Sequence, residues 1–313
     1  MKTLSKMDKG PLVLAFKYLM GYTKDKTEEF TADFEAFVKT WQKDNGLTAD
    51  GKIGEKTASI LIAKLPNVSK TKNRKGNYAA GVQVLVGMTG DDVDGIFGTK
   101  TKTAVINKQT EGKLDGDGVV GSKSWQYFIL GEVKEHGKNA KKPPDNKQNN
   151  TKWSKIMYSN HNDPKQTIGS SGCGPSAVSD VIDEWWDPKI TPVETCEMSL
   201  NWGCRTYNSG TSGTFFKKIA EKYKATKYIN TSSIKTAIEC LDDGGYVIVC
   251  FGTGSSGKSW YKKWTTGGHY CCIWKYDGQY FYINDPASTK TARTKGTYDE
   301  VLNCRKGFYC FWK

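Results

Sequence analysis

The spacing of apolar positions changes near the middle of the chain. Before residue 131 apolar side chains recur at steps of three and four, as in ASILIAKL (58–65), which is typical of short amphipathic helices. The same spacing recurs at 176–186, 213–225 and 232–245. Continuous β-branched and aromatic runs follow, which favour strands. The pattern predicts an all-α N-terminal region and an α+β C-terminal region.

The strand-like runs are consistent with one antiparallel sheet. They are YVIVCFG (246–252), HYCCIWKYDG (269–278), QYFYINDP (279–286) and GFYCFW (307–312). Asp277 and Gly278 are a favourable pair for a tight turn, so the two middle runs are predicted to form a hairpin. A turn centred on residue 277 places residues 269 and 285 at the same end of that hairpin.

An internal repeat occupies the N-terminal region. The octets DGKIGEKT, DGIFGTKT and DGVVGSKS begin at residues 50, 94 and 117 and share the pattern DGxxGxK[ST]. Longer segments align as well, 16–21 with 82–87 and 38–51 with 105–118. Two tandem units of about 50 residues follow from these offsets. A P-loop has four residues between its first glycine and a Gly-Lys pair, and no octet has that spacing, so none is a phosphate-binding P-loop.

The octets resemble the peptidoglycan-binding domain of bacterial and phage wall hydrolases, a three-helix module. The resemblance implies one domain at 1–70, in which TKDKTEEFTADF (23–34) replaces the first loop, and a fuller one at 71–131. It also implies a set of wall-binding residues: Trp41, Asp50, Gly51, Asp94, Gly95, Phe97, Gly98, Thr101, Asp117 and Gly118. Each Asp-Gly pair also suits a tight turn with a positive-φ glycine, which is a purely structural role.

Residues 132–152 carry few apolar side chains and include Pro143-Pro144, so an exposed linker is predicted there. His136 is expected to be solvated within it. The C-terminal domain is then expected to span 153–313.

Cys173 lies between a glycine-rich loop and a predicted helix. Unpaired N–H groups and the helix dipole at that position favour thiolate and lower the pKa of a thiol. A cysteine there is also commonly just a small buried residue. A nucleophile needs a base, and His269 is the single histidine after Cys173. Asp285 is expected beside it, so the three predict a Cys-His-Asp triad, although a core histidine and a turn-capping aspartate are the separate alternatives.

The segments around these residues resemble papain-like cysteine peptidases, above all the family of double-glycine, bacteriocin-processing peptidases and its wall-lytic members. The resemblance covers residues 155–313. It implies an oxyanion-hole amide about a dozen residues before the cysteine, where this chain offers Asn160. Neighbouring His161 is either a substrate contact or a surface residue. The aromatic stretch 259–269 either lines a substrate groove or packs on itself.

Neither metal nor another cofactor is expected. Cys271 and Cys272 point to opposite faces of a strand, and Cys196 and Cys204 have no CxxC spacing. All nine cysteines lie at or after residue 173, and an odd number favours reduced thiols.

The formal charge of +13 is spread along the chain. Residues 1–150 hold 25 basic and 18 acidic side chains, and the remainder holds 21 and 15. This distribution suits a diffuse polyanion such as an anionic cell wall, or simple solubility, better than one nucleic-acid groove. No run approaches the roughly 18 apolar residues of a membrane span. Lys17 interrupts the apolar N-terminal run, so no signal peptide is expected.

These observations favour an endolysin, a monomeric wall hydrolase made in the bacterial cytoplasm and released by a holin. Its substrate would be an amide bond of peptidoglycan stem peptides or cross-links, with the N-acetylmuramoyl-L-alanine bond as the alternative. A leader-cutting peptidase predicts an attached transporter, and a non-catalytic wall-binding protein predicts a missing triad member, so both are less favoured.

Overall fold

A computed structural model describes residues 1–254, 256–258 and 261–313. The chain divides into two compact units, Met1–Lys134 and Glu135–Lys313. No helix within the described residues is both long and apolar enough to cross a bilayer.

The N-terminal unit consists of two tandem three-helix repeats, as predicted. The first contains α1 (Pro11–Met20), α2 (Ala32–Asp44) and α3 (Glu55–Lys64), and the second contains α4 (Asn77–Leu85), α5 (Thr99–Glu111) and α6 (Ser122–Leu130). A 3-10 turn at Gly90–Asp92 precedes the octet that begins at Asp94. The glycines of the three Asp-Gly pairs have φ near +70°, as the turn requires: Gly51, Gly95 and Gly118.

The two repeats share one hydrophobic core. Buried residues of both repeats, such as Phe16, Phe34, Phe97 and Trp125, belong to a single cluster. Helices α1 and α4 approach closely, because a Cβ at Gly81 would lie 2.6 Å from a methyl carbon of Leu19. The repeats therefore fold as one unit and bury their apolar faces against each other.

The C-terminal unit is α+β, as predicted. Its helices are α7 (Ile168–Ser171), α8 (Cys173–Trp185), α9 (Pro192–Asn201), α10 (Thr214–Lys222), α11 (Ile234–Asp242) and α12 (Tyr298–Cys304). Its strands are β1 (Arg205–Thr206), β2 (Gly210–Thr211), β3 (Lys227–Thr231), β4 (Tyr246–Phe251), β5 (His269–Tyr276), β6 (Tyr280–Asn284), β7 (Lys295–Thr297) and β8 (Arg305–Trp312). A 3-10 turn at Thr291–Arg293 precedes β7.

Six of these strands form an antiparallel sheet in the order β3-β8-β4-β5-β6-β7. The last strand of the chain therefore lies inside the sheet, between β3 and β4. Helix α8 packs on this sheet and buries Ala177, Val178 and Val181 in a core shared with Ile248 and Phe311. The packing holds the N-terminus of α8 against the sheet.

The predicted hairpin is present with a different register. Tyr276 pairs with Phe281, and a β-bulge interrupts the pairing between Ile273 and Lys275. The turn is closed by Asp277 N–H donating to the carbonyl of Tyr280 at 3.2 Å. His269 and Asp285 are therefore not cross-strand partners, although both lie at the same end of the hairpin.

The structure differs from the expected exposed linker at 132–152, since residues from 135 onward belong to the C-terminal unit. His136 is half-buried rather than solvated, and its Nδ1 lies 2.7 Å from Asp242 Oδ2. Tyr246 also donates its hydroxyl to the carbonyl of Lys141 at 2.8 Å. The polar composition of this segment gives no sign that it packs on the C-terminal unit, because its contacts use backbone groups and partners that are distant in the chain.

Candidate active site

A cleft of about 490 Å³ opens at the N-terminus of α8 in the C-terminal unit. Cys173, the first residue of that helix, is half-exposed in its wall. The residues lining the cleft are Gln166, Ser170, Ser171, Cys173, Asn208, Ser209, Gly210, Thr211, Cys250, Gly268, Tyr270 and Lys306. A Cβ at Gly174 would lie 3.1 Å from the Thr211 side chain, so a small residue is required after the cysteine.

The Cys173 thiol has a lowered pKa. Burial raises this pKa, but the hydrogen bond and charge of His269, together with the backbone N–H groups of Tyr270 and Gly174, outweigh burial. For His269, burial lowers the pKa, and the neighbouring side chains of Cys271, Asp285 and Cys173 raise it well above the usual value. Both directions favour a thiolate beside an imidazolium.

Asp285 holds the ring of His269. Nε2 of His269 lies 2.8 Å from Asp285 Oδ1, and the aspartate is 1% exposed. Nδ1 is then available to exchange a proton with the thiol. Burial raises the pKa of Asp285, but its hydrogen bond to His269 and the charges of His269 and Arg293 lower it below the usual range. The structure thus brings together the three residues that were predicted to form a triad.

Arg293 is a fourth charged residue in this cluster, and sequence reasoning missed it. Its Nε lies 2.6 Å from Asp285 Oδ2, while its Nη2 donates to the carbonyl of Trp264 at 2.6 Å. It belongs to the 3-10 turn before β7, eight residues after Asp285. Neither spacing nor local pattern distinguishes it from other basic residues nearby, so the signal is purely tertiary.

Cys271 lies on the same face of β5 as His269, two residues away. Donor atoms of His269, Cys271 and Asp285 all lie within 4.8 Å of one another, a set that resembles a metal site. Burial raises the pKa of Cys271 to about 11, so its thiol is protonated at neutral pH. The guanidinium of Arg293 already faces the carboxylate. These groups therefore suit an ion-pair network better than a cation.

The structure does not bring Asn160 to the cleft. Asn160 is exposed, and its side-chain oxygen faces His161 Nδ1 at 3.1 Å. The His161 ring lies 4.4 Å from the ring of Tyr207. Neither residue belongs to the cleft lining, in contrast to Gln166, seven residues before Cys173. Gln166 begins the segment QTIGSSGC (166–173), and this glutamine was the available signal for an amide at this position.

The Gln166 amide is fixed in orientation. Arg205 Nη2 donates to its Oε1 at 2.6 Å, and its Nε2 donates to Asn208 Oδ1 at 2.8 Å. Arg205 is 3% exposed and also donates to the carbonyl of Tyr158 at 2.9 Å. The buried Arg205 therefore holds the oxygen of this amide, while the nitrogen donates to Asn208, another residue of the cleft, and to Asp163 Oδ2 at 3.3 Å.

Each octet of the N-terminal unit is organised around one buried glutamine. Gln83 Nε2 donates to Asp94 Oδ1 at 2.6 Å and to Thr101 Oγ1 at 3.3 Å, and its Oε1 accepts from Gly95 N–H at 2.8 Å. Two further loops repeat this network, Gln42 with Asp50, Gly51 and Thr57, and Gln109 with Asp117, Gly118 and Ser124. Sequence reasoning assigned no role to these glutamines.

Most of the predicted wall-binding residues are hydrogen-bonded to these glutamines. Phe97 is fully buried and Thr101 is 1% exposed, while Gly98 is the N-cap of α5 and Trp41 packs partly buried against the core. The residues are distributed over three loops, and their visible contacts are internal. Their role in binding the wall stays a prediction.

The replaced loop of the first repeat has an ionic version of the same arrangement. Lys17 aligns with Gln83, is fully buried, and forms an ion pair with Asp25. Its Nζ also donates to Thr27 Oγ1 at 3.1 Å. Burial raises the pKa of Asp25, but the bond from Lys17 and those from Thr27 lower it to about 2.

The stretch 259–269 is only partly described, because Ser259 and Trp260 lie outside the described residues. Trp264 is 2% exposed and stacks on Phe251 with ring centroids 4.1 Å apart. That part of the stretch packs internally.

Comparisons with known proteins agree with this architecture. Residues 148–313, more than half of the chain, match the Peptidase_C39 like family, and the chain belongs to that family. Residues 15–61 match the family described as "Putative peptidoglycan binding domain", a range within the repeat that lacks its first Asp-Gly loop. The two domains together define a wall-binding peptidase.

A crystal structure of a "putative C39-like peptidase" from Bacillus anthracis is 14% identical to the chain. The match covers 45% of this chain and 88% of that one, with a TM-score of 0.34. No curated protein matches the chain.

Proposed function

We propose that the protein is an endolysin-type enzyme that hydrolyses an amide bond in the peptides of peptidoglycan, with Cys173 as nucleophile. The observation that carries this proposal is a half-exposed thiol of lowered pKa at a helix N-terminus, coupled to a histidine that a buried carboxylate holds at 2.8 Å. Groups arranged in this way activate a thiol for acyl transfer.

The chemistry follows from these positions. The Cys173 thiolate attacks the carbonyl carbon of the scissile amide and forms a tetrahedral oxyanion. N–H groups at the start of α8 stabilise that charge, and the Gln166 amide contributes an N–H that it otherwise donates to Asn208 or Asp163. His269 then donates its proton to the leaving amine. Water, deprotonated by His269, hydrolyses the thioester and releases the carboxylate product.

The lining of the cleft favours an anionic peptide. Its described residues are mainly hydroxyl, amide and glycine groups, with Lys306 as the cation and no carboxylate. The ammonium of Lys306 donates to the carbonyl of Gly267 at 3.1 Å, which holds it near the cleft. Peptides of the wall carry free carboxylates, so they are attracted to such a cleft. We propose a stem-peptide or cross-link bond as the target.

The N-terminal repeats increase the rate by retention on the substrate. A wall-binding unit joined to a hydrolase raises the local concentration of scissile bonds. As an endolysin the enzyme would reach the wall through holin lesions, which predicts that lysis after intracellular expression requires a co-expressed holin.

The decisive experiment is a digest of purified cell walls followed by mass spectrometry. Endopeptidase action leaves new amino groups on stem or bridge residues, whereas release of alanine from the lactoyl group would show an amidase instead. The matched control is Cys173→Ala, which removes only the nucleophile. Digestion by this variant at the wild-type rate would refute the thiol mechanism.

A further inference from the structure

Residues 143–148 lie against the loop that carries Asp285. The Lys147 ammonium donates to the backbone carbonyl of Asp285 at 2.7 Å and to that of Ser288 at 2.9 Å. Its charge is also paired with Asp145 at 2.8 Å. One side chain thus joins the two ends of the short turn that follows β6, and this turn carries the carboxylate that holds His269.

The neighbouring residue, Gln148, connects that same turn to the loop before the nucleophile. Its backbone N–H donates to the carbonyl of Pro286 at 2.9 Å. Its side-chain Nε2 donates to the carbonyl of Gly169 at 2.7 Å, and Gly169 belongs to α7, just before Cys173. Gln148 is 4% exposed. The two loops that carry the nucleophile and the carboxylate are therefore joined through one buried residue.

A third connection runs through Asp180, which is buried in α8 below Cys173. Asn146 N–H donates to Asp180 Oδ1 at 2.8 Å, and Asn284 Nδ2 donates to Asp180 Oδ2 at 3.1 Å. Asn284 immediately precedes Asp285 and also donates to the carbonyl of Pro144 at 3.1 Å. The segment therefore contacts the nucleophile's helix and the aspartate's strand at once.

We propose that residues 143–148 are a positioning segment of the active site, with Lys147 and Gln148 fixing the distance between the Asp285 turn and the Cys173 loop. The inference rests on the proposed triad. Its physical basis is that catalytic groups must be held by supporting hydrogen bonds, and a misplacement of about 1 Å costs about a hundredfold in rate. Lys147 touches no reacting group, so it acts through Asp285 and His269.

The test compares full-length variants at Lys147 with a control variant at Lys142. Lys147→Met removes the donor and keeps the length of the side chain, Lys147→Arg restores a donor, and Lys142→Met is the control because Lys142 is exposed on the same stretch. We expect Lys147→Met to lower kcat about 10- to 100-fold with KM changed less than about twofold. Lys147→Arg should recover much of this loss, and Lys142→Met should match the wild type.

Alkylation of Cys173 by iodoacetamide, followed by peptide mass spectrometry, provides a readout that needs no wall substrate. We expect the pH midpoint of alkylation to rise in Lys147→Met, because a loosened Asp285 holds His269 less firmly and the thiolate loses its partner. Unfolding in urea is measured in parallel. An unchanged kcat and midpoint in Lys147→Met, or losses no larger than its unfolded fraction, would overturn the proposal. If wall digestion survives in Cys173→Ala, the proposed function fails instead.

Discussion

One buried polar cluster in the N-terminal unit and one in the C-terminal unit differ in how their groups are paired. In the N-terminal unit the Gln83 amide is satisfied on both sides by its own loop, and the arrangement recurs around Gln42 and Gln109. In the C-terminal unit His269, Asp285 and Arg293 form a charged cluster that meets a half-exposed thiol at a cleft. The first cluster is hydrogen-bonded within its own loop and recurs in each octet, whereas the second borders a cleft that is open to solvent.

The two clusters suit different roles: the glutamine network suits a structural one, and the charged cluster suits a catalytic one. A buried amide with satisfied hydrogen bonds stabilises a loop and holds its shape, and the same solution can serve in every copy of a repeat. The second cluster shifts the pKa of Cys173 down and that of His269 up, which a scaffold does not require. A buried polar cluster is therefore not by itself a sign of function. Shifted pKa values in side chains that border an open cleft are a stronger indication.

The largest effect is expected for His269→Ala. Without the base the thiol loses its proton acceptor, so kcat/KM should fall by about a thousandfold or more. The measurement is release of amino groups from purified walls, with sedimentation on walls as the check that binding persists. His161→Ala is the control, because that histidine is exposed and outside the cleft lining. A comparable loss in both variants would contradict the assignment of the base.

A smaller effect separates Gln166 from Asn160. Gln166→Ala removes an oriented amide from the cleft and should lower kcat about a hundredfold, the usual cost of one oxyanion donor. Asn160→Ala should stay within about twofold of the wild type, since Asn160 is exposed away from the cleft. Steady-state kinetics on a soluble stem peptide check both. The opposite ranking would restore the role predicted for Asn160.

Gln83→Ala tests the glutamine network. It leaves the Gly95 N–H and the Asp94 carboxylate without their internal partner, so the N-terminal unit should lose about 2 kcal/mol of unfolding free energy. Urea unfolding measures this, and Thr103→Ala on the exposed face of α5 is the control. Activity on a soluble peptide should be unchanged. A large fall in that activity would show that the scaffold takes part in the chemistry.

The smallest effect concerns pH. Arg293 helps to lower the pKa of Asp285, so Arg293→Gln should raise it. Protonation of Asp285 removes the acceptor that holds His269, so activity falls as the pH drops through the pKa of Asp285 in the folded enzyme. The acid limb of kcat/KM should therefore move to higher pH in Arg293→Gln. A limb that stays in place would indicate that Arg293 has no electrostatic part in the triad.

Much of the architecture was accessible from local pattern. The octets predict tight turns, and Gly95 does adopt a positive φ of 70°. Apolar spacing and β-branched runs predict the helices and the hairpin that carries His269 and Asp285. Its register was shifted, because the turn is centred between Gly278 and Gln279 and not on Asp277, so that Tyr276 pairs with Phe281.

Other features depend on contacts between distant parts of the chain. Arg293 and Lys147 look like ordinary basic residues, yet both contact Asp285, from opposite directions along the sequence. The segment around Lys147 has the composition of a linker and packs as part of the peptidase unit. Composition describes how a segment interacts with water, and it does not describe which backbone groups elsewhere require a partner.

The sequence by itself predicted the tandem helical repeats, the hairpin and the candidate reactive groups, because turn preferences, helix periodicity and thiol chemistry act over a few residues. Only the tertiary structure decided that β8 enters the middle of the sheet, that Arg293 and His269 share one carboxylate, and that Lys147 supports it. The physical reason is that the free energies of burial and of charge pairing depend on which segments pack together, and the spacing of residues along the chain does not specify that packing.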